Sequence, residues 1–165
     1  MRAITMLALL GCLLVHPTAA AANDSQVERV SLTGLTPISV VVEDFSAVAQ
    51  KNGLVTAAIQ TDVERRLRQA GISVTPDADA YLYIHVTVSD PGGTLPLPYF
   101  VEVGLMQEIT LPRGVKAQTP FQCETWSLTR LGLGSPSILR SSVVDRVNEF
   151  VDQFIAAYKS VNVKP

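Results

Sequence analysis

The sequence predicts an α+β fold of two layers, a mixed and mainly antiparallel sheet with helices on one face, in the order βαββββα. Three observations predict it. Apolar residues recur at every second position over three long stretches and at helical spacing over two others. Turn formers separate the long alternating stretches, at Pro91-Gly92-Gly93 and Pro112-Arg113-Gly114. After the first residues, no internal repeat or low-complexity tract interrupts this order.

The first strand is Ile38 to Val42, ISVVV, a branched run that suits a strand covered on both faces or nearly so. It ends at Glu43-Asp44, read as a solvated strand end, since adjacent strand residues point to opposite faces and cannot act together as acid and base. From Leu54 the apolar positions Leu54, Ala58, Ile59, Val63, Leu67 and Ala70 follow helical spacing, and Gly71 is a helix stop. Asp62, Glu64, Arg65, Arg66 and Arg68 form its solvated face. Ile72 to Thr75 reads as a second strand ended by Pro76, and strand, helix and strand together favour parallel pairing.

The next strand, YLYIHVTVSD from Tyr81 to Asp90, has a clean alternation. Leu82, Ile84, Val86 and Val88 fall on one face, and Tyr81, Tyr83, His85, Thr87 and Ser89 on the other. Tyr99 to Leu111 alternates Val101, Val103, Leu105 and Ile109 with Glu102, Gly104, Met106 and Glu108. Phe121 to Leu131 is a further strand in which Trp126 and Leu128 share a parity, and the three form an antiparallel meander. Last comes a long amphipathic helix, with Ser135 as N-cap, Pro136 at its first position, and a stripe of Leu139, Val143, Val147, Phe150, Val151, Phe154, Ile155 and Tyr158 facing the sheet.

The N-terminus has its own logic. Arg2 precedes an apolar run, Ala3 to Val15, of about 13 residues, too short against the roughly 20 needed to cross a bilayer. Small residues at Ala20 and Ala22 complete a secretory signal peptide, residues 1–22, leaving 23–165 as one α+β domain. The expected location is periplasmic, with no transmembrane segment. A competing reading takes Leu9-Leu10-Gly11-Cys12 as a lipoprotein cleavage site, with a lipid anchor on Cys12 and an outer-membrane location. The bulk of Leu10 and the apolar residues continuing past Cys12 disfavour it.

Charge and side-chain chemistry narrow the function. The chain carries 13 Lys and Arg against 15 Asp and Glu, with no basic run, so nucleic acid is not an expected partner. Beyond residue 22 there remain one cysteine, Cys123, and one histidine, His85, so an intramolecular disulfide is excluded there. One histidine cannot anchor a zinc site, and neither a metal nor a cofactor is expected. A nucleophile and base pair would have to be Cys123 with His85, and sequential strand pairing puts a strand between them. GLGSPS, Gly132 to Ser137, precedes the last helix but lacks the length and lysine of a phosphate loop.

The stretches VVVEDF (Val40 to Phe45), TDVERRLRQAGI (Thr61 to Ile72), YLYIHV (Tyr81 to Val86) and DQFIAAYKSVN (Asp152 to Asn162) resemble a group of short exported bacterial proteins. In element order alone the chain also resembles small α+β modules of cell-envelope assembly systems, the N-terminal domain of the Tol-system propeller protein and the curli-secretion lipoprotein. Those resemblances imply a periplasmic binding or scaffolding role, and they supply no catalytic residue. The expected function is therefore non-enzymatic. A protein partner, a second copy of the chain or an apolar ligand would bind an open sheet face formed by Tyr81, Tyr83, His85, Glu102 and Met106. Tyrosine and methionine are enriched at interface cores, and a histidine there can titrate between about pH 5 and 8. The alternative is a small hydrolase or thiol-dependent enzyme using Cys123 or His85.

Overall fold

A computed structural model describes residues 24–92, 96–109 and 121–162. The signal-peptide reading, Cys12 and the turn at Pro112-Arg113-Gly114 lie outside them. In chain order the elements are α1 (Gln26–Val30), β1 (Ile38–Val42), α2 (Ala47–Lys51), α3 (Thr56–Gln69), β2 (Ala80–Val88), β3 (Leu97–Ile109), β4 (Phe121–Gly134) and α4 (Leu139–Val161). The four strands form one open mixed sheet in the order β1-β2-β3-β4. β1 runs parallel to β2, and β2, β3 and β4 are antiparallel. This is the α+β architecture that the alternating and helical periods predict.

Three details depart from the expected order. Ile72 to Thr75 is not a strand: only one parallel bridge, Ile38 to Val74, forms there. β2 takes the place beside β1 instead, because its Leu82 and Ile84 can meet Val40 and Val42 in the core, where the shorter segment has no such alternation. The order is therefore βαβββα, with short helices added at α1 and α2. Ser135 does not cap α4 through its side chain. Its carbonyl accepts the amides of Ile138 and Leu139 in a turn, its hydroxyl pairs with that of Ser137 at 3.0 Å, and the helix starts at Leu139.

α3 forms as predicted, and its end is well defined. The Ile72 amide donates to the Leu67 carbonyl and the Gly71 amide to Arg68, with Gly71 at φ 86, the paired bonds of a Schellman stop that needs glycine's freedom. Ile72 and Leu67, brought together by that turn, are both buried. α1 starts at a capping box in which the Ser25 hydroxyl accepts the Glu28 amide and the Glu28 carboxylate accepts from Ser25.

The helices pack on the face carrying Leu82, Ile84, Val86 and Val88, all buried together with Val101, Val103, Leu105, Trp126 and Leu128. α4 presents Val143, Val147, Phe150, Val151 and Phe154 to it, and α3 presents Ile59, Val63 and Leu67. The Trp126 ring meets Phe154 edge-on at 5.2 Å between centroids, while its indole N–H donates to Asp24 at 3.1 Å. Asp24 also holds Arg29, and these bonds keep its carboxyl below the ordinary range. Among the described residues no helix is long and apolar enough to cross a membrane.

Candidate functional site

β-strand parity makes the opposite face of the sheet. The β2–β3 register pairs Tyr81 with Met106, Tyr83 with Gly104, His85 with Glu102 and Thr87 with Phe100. The five residues expected to form a site, Tyr81, Tyr83, His85, Glu102 and Met106, thus lie on adjacent strands of one face. All five are half-buried. The contacts between helices and sheet described above are with the other face.

Parallel pairing of β1 adds a residue that sequence reasoning set aside. Val41 pairs with Tyr83 and Val42 with Ile84, so Glu43, whose amide donates to the Ile84 carbonyl, comes level with His85. One Glu43 carboxylate oxygen accepts the Tyr83 phenol and contacts His85 Nδ1. Nε2 of the same ring meets the Thr87 hydroxyl at 2.8 Å. The Tyr83 and His85 rings are nearly parallel, 9° apart with centroids 6.4 Å apart, and Phe100 lies 6.1 Å beyond His85. Glu43 was legible only through the register: in an isolated strand the residue after Val42 reads as a solvated end.

The electrostatics follow from these contacts. The hydrogen bonds from Tyr83 and His85 hold the Glu43 carboxyl below its ordinary range. The same carboxylate pushes the Tyr83 phenol up to about 12, with burial adding to the effect. Across β3, burial and then the charge of Glu124 raise Glu102. Glu124 reaches it over Gly104, where a methyl group would lie 2.5 Å from the Glu124 Oε2. Sequence reasoning missed Glu124 because a bulge at Thr125 breaks the parity of β4: Leu105 pairs with Trp126, but Met106 pairs with Glu124.

Cys123 and His85 do not meet. Cys123 pairs with Gln107 and His85 with Glu102, five residues apart along β3. At 3.4 Å per residue the separation along the strand is about 17 Å. The odd offset also puts them on opposite faces: Gln107 turns to the helix side, donating to the Ser31 carbonyl at 3.1 Å and the Thr125 hydroxyl at 2.6 Å. Among the described residues no cluster of three or more His, Cys, Asp or Glu could hold a metal ion.

No protein-family model and no curated protein matches the sequence. Among solved structures, a PelC dodecamer from Paraburkholderia phytofirmans is similar at 16% identity and TM-score 0.39, over 74% of this chain and 86% of that one. A minor lipoprotein from Acinetobacter baumannii gives 15% identity and TM-score 0.31, over 73% and 92%. The rare lipoprotein B from Shewanella oneidensis gives 16% identity and TM-score 0.24, over 76% and 90%. Superpositions this loose, at identities this low, assign neither a family nor a function.

Proposed function

We propose that this is an exported, non-enzymatic cell-envelope protein that binds a protein partner through the open sheet face, at Tyr81, Tyr83, His85, Glu102 and Met106, with Glu43 as the anchor of the cluster. Residues 1–22 act as the signal peptide and residues 23–165 as one domain. The observation that carries this reading is the ring pair Tyr83 and His85, held in one orientation by Glu43 on a face that the helices leave open. Ordered aromatic rings on an accessible surface offer contact area without a large further loss of side-chain freedom on binding.

The charge of the face defines the partner's chemistry. Outward positions of the described strands include Glu43, Glu102, Glu108 and Glu124 and no lysine or arginine. Glu102 is raised first by burial and then by the charge of Glu124 beside it. A basic protein segment would relieve that repulsion while its apolar side chains cover Val41, Phe100 and Met106. The separation of Cys123 from His85 favours binding over thiol chemistry.

The test is a pull-down from periplasmic extract with the exported chain, repeated with Tyr81→Ala and Tyr83→Ala together and, separately, with Cys123→Ser. Loss of a captured basic protein on truncation of the tyrosines, weakening with added salt, and retention with Cys123→Ser are expected. Unchanged capture by the tyrosine variant, or a catalytic activity lost with Cys123→Ser, would overturn the reading.

A further inference from the structure

Among the described residues β4 is an edge strand, 14 residues long, and its stretch from Thr129 to Leu133 is not buried. The Ser89 amide donates to the Pro98 carbonyl, so even-numbered residues of β3 turn their backbone groups to β2 and odd-numbered ones turn theirs to β4. Val103 pairs with Leu128, Val101 with Arg130 and Tyr99 with Gly132. The intervening residues Thr129, Leu131 and Leu133 therefore direct their amides and carbonyls outward, away from the sheet, while Ser127, of the same parity, is buried. Below them the edge is blocked, because the Thr125 bulge disrupts the ladder and its carbonyl accepts from the Ser31 hydroxyl at 3.3 Å. On the open part Leu131 is 76% exposed and Leu133 is 69% exposed.

An edge of this kind templates another strand, and we propose that its occupant is the same edge of a second copy, paired antiparallel about a two-fold axis at Leu131. Charge and register favour that arrangement over its neighbours toward Thr125. Arg130 is the only charged residue from Ser127 to Gly134. Centring the axis on Arg130 would set two guanidinium groups face to face, and centring it on Thr129 would run Leu133 into the bulge at Thr125. Centring on Leu131 sets each Arg130 opposite Gly132 of the other copy, where the ring of Tyr99 lies over the glycine. In that register neither Arg130 faces a second cation. Thr129 then faces Leu133, Leu131 meets its own symmetry mate, and each copy's edge is closed by an isologous contact.

The contact spans few residues, well below the roughly 800 Å² per partner of a standard interface, so the dimer is weak and concentration-dependent. It uses the β4 edge and leaves Tyr83 and His85 free, so it stands apart from the partner-binding reading.

The test is sedimentation equilibrium, by analytical ultracentrifugation, of the exported chain purified from the periplasm. A monomer–dimer equilibrium is expected for the natural sequence. L131K and L131E, both at an exposed position, are each expected to be monomeric, and their equimolar mixture to regain the dimer as opposite charges meet on the axis. A natural chain that stays monomeric at high micromolar concentration, a dimer that survives L131K, or a mixture that fails to associate would each overturn the proposal. A dimer that also survives Y83A is expected, and its loss there would move the contact to the open face.

Discussion

The two faces of the sheet are built from the same strands yet follow different rules. On the helix side the alternate residues at the centre of the sheet are aliphatic or aromatic and buried, and these positions are filled by packing against α3 and α4. On the open side the alternate residues include phenols, an imidazole, a thioether and carboxylates, and Tyr83 and His85 are tied by hydrogen bonds to Glu43, which is distant in sequence. One face spends its side chains on stability, and the other holds a polar and aromatic surface in a fixed arrangement. A change of equal size should therefore have unequal effects on the two.

The largest effect is expected in the core. Phe154→Ala removes a fully buried ring that meets Trp126, and a loss of about 3–5 kcal/mol in denaturant unfolding is expected. Two glycines sharpen the contrast. At Gly132, on the helix side, a methyl group would lie 2.3 Å from the Cζ of Tyr99, a buried ring that must be displaced, so Gly132→Ala should cost about 1–3 kcal/mol. At Gly104, on the open side, the same methyl meets the free end of Glu124, which can swing aside. Gly104→Ala should cost less than about 1 kcal/mol, and a carboxyl titration followed by NMR should find Glu102 lowered as Glu124 moves away. Equal costs at the two glycines would break the comparison.

The smallest effect on stability, and the most specific, concerns Glu43. A spectrophotometric titration should find one phenol ionising near 12, absent in Tyr83→Phe and returned toward 10.0 in Glu43→Gln. Because folding raises the Tyr83 value, its contribution to stability is complete below about pH 10 and is lost as pH rises through 12. Glu43 has the opposite sign. Its folded value is depressed, so its contribution is present above the ordinary value of 4.5 and is lost as pH falls through the lowered one.

The fold was legible in the sequence where a period ran long enough to leave one reading. The alternation of β2, the stripe of α4 and the glycine stop after α3 are all of that kind. Ile72 to Thr75 was too short to carry a period, and only tertiary pairing decided that Tyr81 to Val88 should lie beside β1. α1 and α2, five residues each, are held by caps rather than by an apolar stripe. The site divides in the same way. Tyr81, Tyr83, His85, Glu102 and Met106 follow from parity within single strands and a sequential meander. Glu43 depends on a parallel register and Glu124 on a bulge, neither of which the local pattern contains.

The central claim is that the open face meets a partner in the cell envelope. Its most direct test is site-specific photocrosslinking in living cells, with the crosslinking residue placed at Thr87 on the open face or at Ala57 on the exposed side of α3. A discrete adduct with another protein from Thr87, lost when Tyr83 is changed to Ala, and none from Ala57, is the predicted result. Adducts from Ala57 alone, or from neither position, would contradict it.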